Sequence, residues 1–341
     1  MFFGYSSLYP PDAFEQALPD AHSARQLLDS KRPDILPRLA RIAEQFGADQ
    51  RTLDAAALGT ARLGLRHGSF GSDFHAYHNE SHVLEVGERR LLRLLAGLAD
   101  AAPGPSDVAA LLLFAACHDL RQRETVDVPG PIEGNEAASI AETFRVLDAC
   151  GFDRVVDREQ YIALELMIAG STFDARPTFQ SDPQTDELPT VVGGSLARAL
   201  ALWLDRTEPH WRENPDARRG ERLARLAADL DTANVGEDFV QLSETALRLC
   251  RERQMRAGRR LDRPESAMPC LEFLGRGQEY YFYELHRFNS REGERVFGPQ
   301  KLLNGPLVRN ATAALLGRFA DKPPVAGDAV LAVFMELTGA A

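Results

Sequence analysis

Residues 107–117 are almost wholly apolar, and they end directly before His118 and Asp119. A helix that is apolar on every side must be buried inside the protein. Elsewhere apolar residues recur at helical spacing, and no segment shows strand alternation beside a hairpin turn. These patterns predict an all-α protein. The predicted helices cover about residues 36–46, 52–65, 79–99, 107–117, 136–150, 159–168, 196–204, 219–230, 239–255 and 307–319.

Length and charge narrow the classes of function. With 341 residues, of which 44% are hydrophobic, the chain is long enough for one large domain or for one domain with an appendage. The formal net charge of -11 argues against non-specific binding of nucleic acid, which depends on a basic surface. The four cysteines are widely separated and form no CxxC pair, so neither disulfides nor a thiolate zinc site is indicated.

The N-terminus and the hydropathy pattern predict a cytoplasmic protein. The first residues, MFFGYSSLYPPDAF, lack the basic region and the continuous apolar region of a signal peptide. No stretch approaches the roughly 20 apolar residues that a membrane span requires. We therefore expect no association with a membrane.

Histidine and aspartate residues gather in two short stretches. His78 and His82 are four residues apart, so on a helix they share a face about one turn from each other. His118 and Asp119 end the apolar helix, where burial without partners costs free energy. A divalent cation offsets that cost and accepts imidazole and carboxylate ligands. The alternative is that these are core histidines with ordinary hydrogen-bond partners.

The two stretches together resemble a known family. Residues 77–86, YHNESHVLEV, followed by residues 115–120, AACHDL, closely resemble the HD superfamily of metal-dependent phosphohydrolases, which includes the catalytic domains of cyclic nucleotide phosphodiesterases. In that superfamily a histidine, an adjacent His-Asp pair and a later aspartate hold the metal. The implied ligands are His82, His118, Asp119 and Asp229, with Asp231 and Asp174 as alternatives for the last.

The same resemblance implies roles for further residues. His78 would donate a proton to the leaving-group oxygen, or alternatively orient a ligand through a hydrogen bond. Asn135 and Glu136 match a segment whose acidic residue lies near metal-bound waters; alternatively they stabilise the start of a helix. Gln278 resembles a glutamine that holds a nucleotide base, or is an exposed residue beside an aromatic stripe. Asn79 would contact the substrate or support a ligand.

Departures from the phosphodiesterase motif concern the substrate. The segment after the His-Asp pair is longer, paired histidines are missing, and Glu85 stands where an aspartate is common. These differences put cyclic nucleotides in doubt as the substrate. Arg121 and Arg123, just after the pair, would either clamp phosphate oxygens or be solvated loop charges.

The predicted function is hydrolysis of a phosphate ester of a nucleotide or a related small molecule. Asp119 and His78 would be the catalytic residues, with one or two divalent ions (Mn, Mg, Fe, Zn, Co or Ni) as the cofactor. Two alternatives stay open: an HD-fold di-iron oxygenase and a non-catalytic metal-binding sensor module.

The domain organisation follows from the same resemblance. Paired prolines and small polar residues predict an irregular arm over residues 1–25. Residues 26–290 would form the hydrolase domain, an HD-domain-like helical bundle with additional N- and C-terminal helices. Residues 291–341 are expected to form a helical extension packed on the same domain, and a homodimer contact is the alternative role for them.

Overall fold

The secondary structure is entirely helical in the part of the chain that the structure describes. That structure is a computed structural model, and it describes residues 4–126, 130–173 and 194–341. Within these ranges there is no β-strand, only an isolated bridge between Phe173 and Ser195. The predicted all-α class is therefore confirmed. None of the helices in these ranges has the length and apolarity that crossing a membrane would need.

Contacts divide the chain into two compact units. The first consists of Met1–Phe74 and His78–Asp231, and the second of His75–Tyr77 and Thr232–Ala341. Most predicted helices are found within a few residues of their expected ends. The helices of the first unit are α1 (Ala13–Ala17), α2 (Ala21–Lys31), α3 (Ile35–Gln45), α4 (Gln50–Arg66), α5 (Glu80–Leu84), α6 (Leu91–Leu98), α7 (Pro105–Cys117), α8 (Gly134–Ala149), α9 (Arg158–Ser171), α10 (Leu200–Thr207) and α11 (Pro215–Asp231).

The apolar helix α7 is surrounded by other helices of the first unit. It contacts α4, α5, α9 and α11, and its side chains from residue 108 to residue 117 are all buried. Gly59 lets α4 approach α7 closely, because a Cβ at this position would lie 2.7 Å from the Cys117 Sγ and 2.8 Å from the Ala116 carbonyl oxygen. The end of α7, and with it His118, is therefore held in a fixed place.

The helix predicted over residues 79–99 consists of three joined parts. A π-helical segment, Glu85–Arg90, connects α5 to α6. Gly87 within this segment faces α7, where a Cβ would lie 3.2 Å from that of Ala115. Single π turns inside helices occur frequently at functional sites. Here the π segment follows His82 and packs against the helix that carries His118.

Residues 1–25 contain helical structure where the sequence predicts an irregular arm. Asp12 caps α1 by accepting hydrogen bonds from the backbone N–H groups of Phe14 and Glu15, and Asp20 caps α2 in the same way through Ser23. A helix of five residues is too short to show a period in the sequence. The aspartate caps were the available signal for these helix starts.

The second unit has its own buried apolar core. Its helix α16 packs against α12, α13 and α15. The sequence predicts one domain over residues 26–290 with residues 291–341 as an extension packed on it, whereas the contacts divide the chain after Asp231. The helices of this unit are α12 (Phe239–Arg256), α13 (Ala267–Glu272), α14 (Gln278–Tyr280), α15 (Arg291–Arg318) and α16 (Gly327–Thr338), with π segments at Phe273–Gly277 and Tyr281–Leu285.

Candidate metal centre

Four side chains of the first unit bring their ligand atoms together. His82 lies in α5, His118 and Asp119 directly follow α7, and Asp231 ends α11. The His82 Nε2 lies 3.2 Å from the Asp231 Oδ1 and 3.7 Å from the Asp119 Oδ2. The His118 Nε2 lies 3.0 Å from the Asp119 Oδ2 and 3.5 Å from the Asp231 Oδ1. Two imidazole nitrogens thus face two carboxylate oxygens.

The ligand atoms of His82, His118 and Asp231 all lie within 4.8 Å of one another, so these three side chains could share one cation, with the Asp119 carboxylate beside them. Ligand atoms about 2.1 Å from a single ion lie about 3.0 Å apart in octahedral geometry and about 3.4 Å apart in tetrahedral geometry. The four nitrogen–oxygen distances span 3.0–3.7 Å. In addition, the His118 Nε2 and the Asp119 Oδ2 are buried and make no hydrogen bond. A cation would satisfy both atoms, so this cluster could hold a metal ion.

Hydrogen bonds on the opposite edge of each imidazole ring orient the histidines. His82 Nδ1 donates to the Glu85 Oε2 at 3.4 Å, and His118 Nδ1 donates to the Phe114 carbonyl oxygen at 3.1 Å. A neutral ring with its proton on Nδ1 presents the lone pair of Nε2 to a metal. The Phe114 ring also stacks on the His118 ring, with centroids 4.6 Å apart.

Two further side chains position the carboxylates. Gln122 donates from Nε2 to the Asp119 Oδ1 at 2.9 Å, which leaves Oδ2 to face the histidines. Arg90 is fully buried and donates to the carbonyl oxygens of Leu230 at 3.1 Å and Asp231 at 2.6 Å. Arg90 therefore holds the end of α11, where Asp231 is located. Neither Gln122 nor Arg90 was predicted from the sequence.

The late aspartate of the cluster is Asp231. The sequence favours Asp229 with Asp231 as the alternative, but among the described residues the group that could hold a metal with His82 and His118 contains Asp231. Two residues apart on a helix differ by about 200° around the helix axis, so the two carboxylates point in nearly opposite directions. Asp229 is also buried. Asp174, the third alternative, lies outside the described residues.

The cluster is strongly charged, and its members shift one another's pKa. Burial alone would lower the pKa of His118, but the carboxylates of Asp119 and Asp231 hold it well above its ordinary value. Burial alone would raise the pKa of Asp231, but His118 and His82 hold it well below its ordinary value. The buried carboxylates therefore require a positive charge beside them, which either a protonated imidazole or a cation supplies.

His78 and Glu136 lie beside this cluster. The half-buried His78 ring stands almost perpendicular to the His82 ring, with centroids 6.1 Å apart. Glu136, in the first turn of α8, has a buried Oε2 that makes no hydrogen bond. Burial raises the pKa of Glu136 to about 7, and the negative charge of Asp119 contributes while His78 opposes the shift. Glu136 therefore interacts electrostatically with both Asp119 and His78.

Asn79, Asn135 and Gln278, the remaining predicted site residues, contact parts of the fold outside the cluster. Asn79 is the N-cap of α5, because its side chain accepts a hydrogen bond from a backbone N–H of the first turn. Asn135 accepts from the backbone N–H of Glu124 at 3.0 Å, so it fixes the loop before α8 and does not cap that helix. Gln278 belongs to the second unit, where it lines a small cavity beside Leu274.

Both arginines that follow the His-Asp pair are bound to carboxylates. Arg121 is buried and its Nε donates to Glu124 at 2.6 Å. Arg123 donates from Nε to Asp73 at 2.7 Å. Arg121 is therefore not a solvated loop charge, and both guanidinium groups are paired with a carboxylate.

Comparison with known proteins leaves the family open. No protein-family model matches this chain. No curated protein matches it either. The likeness to the HD superfamily accordingly rests on the two sequence stretches, and an all-α structure with a buried His/Asp cluster is compatible with it.

Proposed function

We propose that this protein is a metal-dependent phosphohydrolase that cleaves a phosphate ester of a nucleotide or a related small molecule. The observation that carries the proposal is the group of His82, His118 and Asp231, whose ligand atoms lie close enough together to hold one cation, with the Asp119 carboxylate beside both histidines. An oxygenase with two irons would need further histidine ligands. No histidine occurs in the sequence between His118 and His210, which favours hydrolysis.

The residues around the cluster supply the groups that hydrolysis requires. A divalent cation bound by His82, His118, Asp119 and Asp231 would polarise a phosphoryl oxygen and lower the pKa of a water molecule. An imidazole titrates near neutral pH, so His78 can hold the proton that the leaving oxygen needs. Glu136, whose pKa is about 7, suits the opposite role of accepting a proton from water.

Metal content and hydrolysis can be tested together. Full-length protein is analysed for its metals, stripped with EDTA, and supplied in turn with Mn, Mg, Fe, Zn, Co or Ni. Release of alcohol or inorganic phosphate is then measured over a panel of phosphomonoesters and phosphodiesters. We expect hydrolysis with at least one metal. If no metal restores hydrolysis, or if the iron form consumes oxygen with a substrate instead, the proposal fails.

A pair of variants on α11 tests the ligand set. Asp231→Asn should lose both the metal and the activity, because it removes a charged ligand from the cluster. Asp229→Asn, from the same helix, is the matched control and should keep the metal. The opposite result would show that Asp229 is the ligand. Circular dichroism of both variants separates loss of the ion from loss of the fold.

The role of His78 has its own test. His78→Gln should retain the metal while lowering kcat by about 10²- to 10⁴-fold, because only a proton donor is removed. Loss of the metal in this variant would instead make His78 a ligand. Unchanged kcat would show that another group protonates the leaving oxygen.

A further inference from the structure

The second unit contains a cavity that has no part in the metal centre. Its volume is about 610 Å³. Sites for small molecules are usually roughly 300–1,000 Å³ and lined mainly by apolar and aromatic side chains. The cavity lies between α15 and the segment that follows α14, and its walls include Phe282, Tyr283, Phe288 and Leu302 together with the cations Arg287 and Lys301.

Lys301 is the least ordinary side chain of this cavity. It is one of only three lysines in the chain, and the other two, Lys31 and Lys322, are exposed. The Lys301 Nζ donates to the His286 carbonyl oxygen at 2.9 Å and lies 3.0 Å from the His286 Nδ1. Its bonding partners are thus uncharged, because burial and the charge of Lys301 lower the pKa of His286 to about 3.

Two aromatic rings lie beside the ammonium group. The Lys301 Nζ stands 5.3 Å from the centre of the Phe282 ring and 5.8 Å from that of Phe288. In the part of the chain that the structure describes, Lys301 forms no ion pair with a carboxylate. Burial, with a contribution from Arg287, lowers the pKa of Lys301 to about 8. A half-buried cation without an anion is costly, and an anionic ligand would remove that cost.

The charge of the lining is positive, although the protein is acidic. Arg287 donates to the carbonyl oxygens of Tyr283 and His286, and within the described residues it too has no carboxylate partner. Glu294 is the acidic residue among those that line the cavity, so the two cations outnumber it. The excess of positive charge in this lining favours an anion there, although the whole chain carries a net charge of -11.

We propose that this cavity binds a small anion with a planar aromatic body. Its phosphate or carboxylate group would contact Lys301 and Arg287, and its ring would lie against the side chains of Phe282 and Phe288. A phosphate or carboxylate accepts charge-assisted hydrogen bonds from such cations, and aromatic rings stack on one another. The site is additional to the proposed hydrolytic centre and does not depend on it.

Pyridoxal 5′-phosphate is a suitable probe because it combines an aromatic ring, a phosphate and an aldehyde. The Lys301 Nζ would attack the aldehyde carbon, water would leave, and added borohydride would deliver a hydride to the imine to give a stable secondary amine. Mass spectrometry of the peptides then quantifies labelling at each of the three lysines of the full-length protein. Lys31 and Lys322 are internal controls because both are exposed.

We expect Lys301 to be labelled at least about tenfold faster than Lys31 and Lys322, because Arg287 and the aromatic rings would hold the phosphate and ring of the probe in the cavity, while the neutral form of the Lys301 amine, which is more abundant near pH 8, attacks the aldehyde. Pyridoxal, which lacks the phosphate, should label Lys301 no faster than Lys31 and Lys322. Phenylphosphonate and benzoate, two aromatic anions that cannot be hydrolysed, serve as competitors. Protection by phenylphosphonate alone would assign a phosphate ligand, and protection by benzoate alone a carboxylate ligand.

Variants test whether the charge of the cavity causes the faster labelling of Lys301. Arg287→Gln should slow labelling of Lys301, and Glu294→Gln should accelerate it. Arg318→Gln is the matched control, because Arg318 lies on the same helix as Lys301 but pairs with Glu336 at 3.1 Å. The proposal is overturned if Lys301 is labelled no faster than the other lysines, if pyridoxal labels it equally fast, or if neither competitor protects it.

Discussion

Glu85 accepts a hydrogen bond from His82 and stands one turn further along the same helical run. Its position is one where the phosphodiesterase motif commonly has an aspartate. A carboxylate behind a metal-binding histidine fixes the tautomer and raises the basicity of the ring. Glu85 is therefore placed to orient the His82 ring.

Removing this carboxylate should weaken the metal centre. We expect Glu85→Ala to lower the affinity for Mn by about 10- to 100-fold, because His82 loses the group that orients it. Isothermal titration of EDTA-stripped protein with Mn measures the change. Glu88→Ala is the control from the same helical run, since Glu88 pairs with Arg38 and Arg41. Equal affinities of the Glu85 variant and the unchanged protein would contradict this role.

Much of the candidate site follows from the sequence, and the exceptions have physical causes. His82, His118 and Asp119 lie together as predicted. The short motifs that carry them stand on apolar helices, whose burial sets where these side chains lie and which way they point. The choice between Asp229 and Asp231 depends on where the last turn of α11 stops, which periodicity gives only to within one or two residues. Arg90 donates to the carbonyl oxygen of Leu230, 140 residues further along the chain, and local sequence patterns do not indicate contacts between residues so far apart.

At the scale of helices, the sequence predicts helix interiors better than it predicts the start of a helix that contains proline. The last predicted helix begins at residue 307, whereas α15 begins at Arg291 and passes through Pro299 and Pro306. Each proline removes one backbone hydrogen bond and normally ends a helix. Packing of α15 against α16 and its neighbours keeps the helix continuous here. A tertiary contact of this kind overrides the local preference of the chain.

The contact between α4 and α7 gives a prediction at the same scale. A methyl group at Gly59 would overlap the Cys117 Sγ and the Ala116 carbonyl oxygen, so the two helices would have to separate. We expect Gly59→Ala to lower the free energy of unfolding by about 1–3 kcal/mol, as measured by urea denaturation.

The control for this prediction is another helical glycine. Gly317 of α15 is exposed and has no atom within 4 Å of a Cβ built on it, so Gly317→Ala should raise the stability by about 0.5 kcal/mol. If Gly59→Ala is as harmless as Gly317→Ala, the two helices do not depend on close contact for their position.

At the scale of the whole molecule, we expect a bound metal to stabilise only one of the two units. All four ligands of the candidate centre belong to the first unit. The second unit has its own core, formed by residues such as Leu247, Leu274 and Phe334. A ligand stabilises only the structure that binds it, by an amount set by its concentration and affinity. Metal binding should therefore leave the second unit unaffected.

Hydrogen exchange with and without metal measures this difference directly. At a metal concentration 100 times Kd, a bound cation should stabilise the first unit by about 2.7 kcal/mol, because it must dissociate before that unit opens. Amide exchange in α7 and α11 should slow accordingly, while exchange in α12 and α16 stays constant. Asp231→Asn provides the control, since added metal should then slow neither pair of helices. Equal slowing in both units would show instead that they open together, and that the C-terminal core depends on the metal centre for its stability.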